Sequence, residues 1–182
     1  MDSPVTPEDE PTLVRKARRG DASAFATLYH RHASAVHTLA YRVTGNTATA
    51  EDITQDTFLR MVQFLGGFRD GEPLRPWLKR VAANAAIDHL RRTGRLVQDD
   101  GVETRLHAAG HPSDLAEADG LLRRLSATER TVVWLHEMEG WSHPELAARF
   151  KRSESWSKSI LARALSRLRD EINPVESSDN GA

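Results

Sequence analysis

From Gly94 to Gly120 the chain reads GRLVQDDGVETRLHAAGHPSDLAEADG, with four glycines, one proline, six acids and no sustained apolar period. A stretch of this kind has too little apolar surface to join a core, so it divides the sequence into two segments that must each fold by themselves. With 182 residues in all, each segment lies near the lower size for an independent core. The division reads as a disordered acidic tail over 1–11, a first domain over 12–93, a flexible acidic linker over 94–120, a second domain over 121–172 and a disordered tail over 173–182.

Apolar residues on both sides of the linker recur at helical spacing, and no alternating strand pattern occurs, so the expected class is all-α. In the first domain the spacing predicts helices over Thr12–Arg19, Ala22–Thr44, Ala48–Leu65 and Pro76–Arg92, with Gly20-Asp21, Gly45-Asn46 and GGFRDGEP between them. Pro76 suits a first helical turn, and Trp77, Leu78, Val81, Ala82 and Ala85 form the expected buried stripe, opposite Arg80, Asn84 and Arg91. In the second domain Ser126 and Glu129 have capping-box spacing at the head of a helix that ends at Gly140. Ser142 caps a short helix with Pro144 in its first turn, and Ser153 caps the last helix. That helix is expected to bury Trp156, Ile160, Leu161, Ala164, Leu165 and Leu168 and to expose Lys158, Ser159, Arg163, Ser166 and Arg167. Two short helices joined by a tight turn, the second cationic, match a helix-turn-helix that enters a major groove.

Charge supports this reading. The formal net charge is only -1, yet Met1–Thr12 holds four acids and no base, and Arg69–Arg95 holds seven bases against three acids. Another seven bases between Arg149 and Arg169 stand against Glu154 alone. Two basic surfaces separated by an acidic connector suit a polyanion gripped at two places, or are simply solvated helix faces.

Several function classes find no support. The chain has no cysteine, which excludes disulfides and thiolate clusters and fits a reducing cytoplasm. Its N-terminus lacks a basic stretch leading into an apolar run, and no window approaches the roughly 20 apolar residues of a membrane span, so neither export nor membrane insertion is expected. His136 and Glu137 begin a zinc-protease pattern, but Gly140 stands where its second histidine belongs. His30, His32 and His37 share one helix and read as core or surface side chains. No phosphate loop or nucleophile elbow occurs, and neither an enzyme nor a cofactor is expected.

The order of elements and several strings resemble the extracytoplasmic-function (ECF) sigma factors, small promoter-specificity subunits of bacterial RNA polymerase in the sigma-70 family. AEDITQDTFLRMV is similar to the family's polymerase-binding helix, and FRDGEPLRPWLKRVAANAAIDHLRR to its promoter-melting loop and helix. EGWSHPELAARF followed by SESWSKSILARALSRLR is similar to its upstream-promoter helix-turn-helix. The resemblance extends over roughly Thr12–Ile172. It implies a region 2 helical bundle in the first domain and a region 4 helix-turn-helix in the second.

By resemblance, Asp52, Gln55 and Asp56 contact core polymerase at the clamp helices of its largest subunit, and the beta flap is a further contact. Spacings of three and four put these residues on one helical face, with Ile53, Phe58, Met61 and Val62 expected inward; an ordinary acidic helix start would have the same composition. The resemblance further implies that Arg69 to Arg75 form a loop capturing an unstacked base, with Leu74 at a position often aromatic in relatives. Asn84 would contact a base edge or be a plain surface amide, Arg80, Arg91 and Arg92 would hold phosphates, and Trp77 belongs to the core. In the last helix Lys158, Ser159 and Arg163 align with base- and phosphate-contacting positions, and Arg167 joins them on the DNA face. The sequence departs from the family at Lys151, where a turn glycine is usual, and at Ser157 and Ile160, where an aliphatic residue and an arginine are usual.

The expected function is therefore a sigma subunit that binds core polymerase, recognises −35 and −10 promoter elements and starts transcription of a stress- or signal-responsive regulon, with promoter DNA and an anti-sigma factor as partners. A stand-alone helix-turn-helix repressor or activator is the alternative, and a polymerase-occupying decoy is a third class.

Overall fold

The computed structural model describes residues 8–69, 71–96 and 120–172. Among them every regular element is helical: α1 (Glu10–Arg18), α2 (Ala22–Thr44), α3 (Thr47–Phe64), α4 (Leu74–Arg92), α5 (120–124), α6 (Ala127–Val133), α7 (His143–Phe150) and α8 (Glu154–Ile172). A 3-10 turn at Leu65–Gly67 follows α3, and a π turn at Trp134–Met138 continues α6. The acidic tail through residue 7, most of the linker (97–119) and the C-terminal tail (173–182) lie outside the described residues. The chain divides into two compact units, the first built on α1, α3 and most of α2 and α4, the second on α5 to α8 with the remaining turns of α2 and α4.

The expected breakers follow α1 and α2. Gly20 and Gly45 take φ of 89° and 67°, left-handed values that cost glycine little. Asp21 Oδ1 then accepts from the N–H groups of Ser23 and Ala24, and Asn46 Oδ1 accepts from Thr49, so the side chain after each glycine satisfies N–H groups at the start of the following helix. The core of the first unit gathers Leu13 and Val14 of α1, Leu28, Val36 and Leu39 of α2, Ile53, Phe58 and Met61 of α3, Leu65, and Leu74, Leu78, Ala82 and Ala86 of α4. Two buried threonines in α3 remain satisfied because each hydroxyl donates to the carbonyl four residues back, Thr54 to Ala50 and Thr57 to Ile53, both at 2.7 Å.

This packing departs from the expected one in three places. The helix α4 starts at Leu74, two residues before Pro76, and its buried stripe runs through Leu74, Leu78, Ala82 and Ala86 at steps of four. Trp77, Val81 and Ala85, each one residue earlier, lie about 100° round the helix and are only half-buried. For the same reason Val62, one residue past the buried Met61, is 55% exposed rather than inward.

The second unit forms both capping boxes. Glu129 N–H donates to Ser126 Oγ while Glu129 Oε2 accepts from Ser126 N–H, and Ser142 and Glu145 repeat the arrangement at the head of α7. Trp156 N–H donates to Ser153 Oγ at the head of α8, which packs on both α6 and α7. Ile160, Leu161 and Ala164 are buried beneath α8, as is Ser157, while Trp156, Leu165 and Leu168 flank them half-buried. The two family departures in α8, Ser157 and Ile160, thus both point inward.

The buried Ser157 hydroxyl lies 3.0 Å from Nδ1 of His143. The His143 ring stacks on His136 with centroids 4.5 Å apart and planes at 18°, and His136 Nδ1–H donates to the Trp141 carbonyl at 2.7 Å. Burial lowers the pKa of His143 below its ordinary value of 6.5, the charges of His136 and Lys158 act in the same direction, and Glu154 opposes them. A polar contact therefore seats the second helix of the pair where an aliphatic side chain would otherwise do so.

Lys151 occupies the tight turn at φ 56° and ψ 47°, a left-handed conformation unfavourable to any residue with a Cβ. Replacing it by glycine is expected to stabilise the second unit by about 1 kcal/mol, visible as a higher denaturation midpoint. Because burial and the neighbouring charges favour neutral His143, the stability linked to its titration is fully present above the unfolded pKa of 6.5 and is lost as pH falls through the depressed folded value. Ring-proton NMR should place the His143 midpoint below that of an exposed histidine, and His136→Asn should move it back up.

Candidate polymerase and promoter interfaces

On α3, Asp52, Gln55 and Asp56 are all exposed and share one face, as their spacing requires. The same face continues into Leu59, 61% exposed, and Val62, which follow Gln55 by four and seven residues. Sequence reasoning missed these two. The signal was present, since an apolar residue seven positions after a face-defining polar one returns to that face. The surface therefore combines two carboxylates, an amide and two aliphatic side chains, a composition suited to a partner helix that is basic at one end and apolar at the other.

At the far end of α3, Arg60 and Phe64 meet Trp77, Val81 and Asn84 of α4 around a shallow concavity of about 270 Å³. A second, of about 330 Å³, shares Phe64 and Trp77 and adds Gly67, Phe68, Arg69 and Glu72, so the two concavities adjoin at these aromatic side chains. Phe64 is 62% exposed, and Phe68 and Trp77 meet edge to face with centroids 6.0 Å apart. An open aromatic-walled cleft with arginines at its margin has the chemistry that holds an unstacked base next to its phosphates. Trp77 is thus a wall of the cleft rather than a core residue, because the buried stripe of α4 runs through Leu74 and Leu78 instead.

The other expected DNA residues fall as follows. Arg69 is exposed and pairs with Glu72 at 3.8 Å. Leu74 is fully buried, so its assignment to a base-capturing loop is corrected: it is the first residue of α4 and part of the core. Arg80 is exposed and Asn84 half-buried in the cleft, on the same face as Trp77. Arg91, seven residues beyond Asn84, is exposed and paired with Asp88 at 2.9 Å, and Arg92 is exposed beside it. In the second unit Lys158, Ser159 and Arg163 project from the outer face of α8. Arg167 is turned back, with Nη1 3.3 Å from Oε2 of Glu129, a carboxylate 8% exposed that also caps α6. The Arg167 side chain is itself half-exposed, so it supplies the donor that this nearly buried carboxylate requires while remaining on the outer side of α8.

Among the described residues no group of three or more histidines and carboxylates is placed to hold a metal ion. His32 is buried with Nε2 2.8 Å from Glu10, and His37 stacks on Tyr41. Among the described residues no helix is long and apolar enough to cross a membrane.

Comparison with known proteins agrees with both units. The family model "Sigma-70 region 2" matches residues 28–96 and "Sigma-70, region 4" matches residues 115–168. The RNA polymerase sigma factor CarQ of Myxococcus xanthus is 32% identical over 169 residues, covering 90% of this chain and 97% of that protein. Among solved structures, CnrH in complex with the cytosolic domain of CnrY aligns with a TM-score of 0.55 at 27% identity, covering 91% of this chain and 98% of CnrH. The sigma factor RpoE from Bartonella quintana, in complex with the anti-sigma factor NepR, aligns with a TM-score of 0.55 at 29% identity, covering 84% and 98%. Two helical domains of these types on one chain, matched nearly end to end by a sigma factor, show that it belongs to the ECF group of the sigma-70 family, promoter-specificity subunits of RNA polymerase that are not enzymes.

Proposed function

We propose that this chain docks onto core RNA polymerase through the α3 face of Asp52, Gln55, Asp56, Leu59 and Val62, with the clamp helices of the largest subunit as its seat and the beta flap receiving the second unit. The first unit takes an unpaired base of the −10 element into the cleft of Phe64, Phe68 and Trp77, where Asn84 offers both a donor and an acceptor to its edge. Arg69, Arg80, Arg91 and Arg92 follow the phosphates. The second unit reads the −35 element with Lys158, Ser159 and Arg163 in the major groove. The observation that carries this reading is the exposed acidic and aliphatic face of α3 on the same chain as a cationic recognition helix. A stand-alone repressor has no use for that face.

Control by an anti-sigma protein fits the same surface, because an apolar stripe flanked by carboxylates is open to any partner that competes with polymerase. Of the structural relatives, RpoE was solved in complex with the anti-sigma factor NepR, and CnrH in complex with the cytosolic domain of CnrY. Pull-down from resting and stressed cells tests this, and recovery of polymerase subunits alone under both conditions would argue for control by synthesis.

Run-off transcription with purified core enzyme is the deciding experiment for the main reading. Asp52→Ala with Asp56→Ala, and separately Leu59→Ala, should weaken retention on core enzyme by ~1–2 kcal/mol while leaving helicity intact. In holoenzyme, Lys158→Ala and Arg163→Ala should each cost ~1–3 kcal/mol in upstream-element recognition. Asn84→Ala should reduce permanganate reactivity of unpaired thymines and spare closed-complex binding. Tight duplex binding by the free chain that core enzyme does not improve would instead establish the repressor alternative.

A further inference from the structure

Both flanks of the promoter-melting loop are held by α1. On one flank Arg18 Nε donates to the Leu65 carbonyl at 2.9 Å, and Arg18 Nη2 donates to the Phe68 carbonyl. On the other, Glu10 Oε1 accepts from Leu74 N–H at 2.9 Å, one of the first N–H groups of α4, which have no partner within their own helix. The second oxygen of Glu10 lies 2.8 Å from Nε2 of buried His32, which fixes the carboxylate in place. Between the two contacts Leu13 and Val14 anchor α1 in the core, and α1 packs directly on the Leu65–Gly67 turn. Glu10 and Arg18 stand eight residues apart, ~12 Å along the helix axis. One rigid helix thus sets the separation between the strand of chain that carries Phe68 and Arg69 and the first turn of α4 that carries Trp77.

We propose that Glu10 and Arg18 are positioning residues for promoter melting: they fix the width of the aromatic cleft, so that capture of an unpaired base requires no ordering of the loop when DNA arrives. This rests on the reading of the cleft as a base-binding site. The chemistry of the grip is matched to its two ends. A carboxylate sits at the N-terminus of α4, where the helix dipole favours negative charge, and a forked guanidinium bridges two carbonyls of the chain leaving α3. Neither side chain lines the cleft, so their effect on DNA passes through the backbone positions they hold.

The experiment uses reconstituted holoenzyme and two templates, a fully duplex promoter and the same promoter with an unpaired −10 bubble, with 2-aminopurine fluorescence reporting the flipped position. Arg18→Ala and Glu10→Ala are expected to slow opening of the duplex promoter by about tenfold or more, as expected when charge-assisted hydrogen bonds are lost, while retention on core enzyme and closed-complex binding stay normal. The defect should shrink on the bubble template. Glu10→Gln, which keeps an acceptor for Leu74 N–H, should recover most of the rate; Arg18→Lys, which cannot bridge two carbonyls, should not. Phe64→Ala, at an exposed cleft wall, is the reference for the cleft itself. If Phe64→Ala impairs melting but the Arg18 and Glu10 variants open duplex DNA at the native rate, the positioning role is wrong and the cleft reading stands. If Phe64→Ala also melts DNA normally, the cleft reading fails and this proposal with it. Should Arg18→Ala lose core binding or helicity, the contrast between Glu10→Gln and Glu10→Ala decides, and equal opening rates for those two would overturn the proposal.

Discussion

Burial of Leu74, Leu78, Ala82 and Ala86 fixes the rotation of α4, and the placement of the aromatic cleft and of the polar side chains beside it depends on that rotation. A helix with apolar residues at steps of four has one orientation in which they all leave water, and a turn of about 100° in either direction would expose several of them. With the stripe seated, Trp77, Arg80, Asn84 and Arg91 have no freedom to face elsewhere. The same constraint acts on α3, where Ile53, Phe58 and Met61 go inward and leave Asp52, Gln55, Asp56, Leu59 and Val62 as the opposite surface.

In the second unit the seating has a polar component. Ser157 is fully buried under α8 and is satisfied by His143, whose ring is stacked on His136. A hydroxyl in that position restricts geometry more than an aliphatic side chain would, because an unpaired buried hydroxyl is costly and its bond has a direction. The outer positions Lys158, Ser159 and Arg163 therefore owe their presentation to one hydrogen bond and to Ile160, Leu161 and Ala164. Burial and the charges of His136 and Lys158 favour the neutral form of this histidine, so its environment couples the seating of α8 to pH in a direction that an apolar contact would not.

Charge placement separates charged residues left on an outer surface from those that join one helix to another. Asp52 and Asp56 are exposed on the continuous outer face of α3. Arg167 and Glu129, by contrast, join α8 to α6, and Glu10 joins α1 to α4. Sequence composition alone cannot distinguish these cases. A carboxylate in an acidic N-terminal run and a carboxylate on a docking surface look identical until their neighbours are known.

The sequence by itself determined the helices and their ends, because capping side chains, left-handed glycines and apolar periodicity act over three or four residues. Ser126 with Glu129, Ser142 with Glu145, and Asn46 formed the caps their spacing implies, and the strings around Asp52, Asn84 and Lys158 carried the family. What only the tertiary structure decided is which of two adjacent apolar residues is buried, since a one-residue choice between Met61 and Val62, or Trp77 and Leu78, depends on the shape of the facing helix. It also moved Leu74 from loop to core and Glu10 from tail to cap. Those two residues are joined across 64 positions by one hydrogen bond, and no local pattern encodes a contact of that separation.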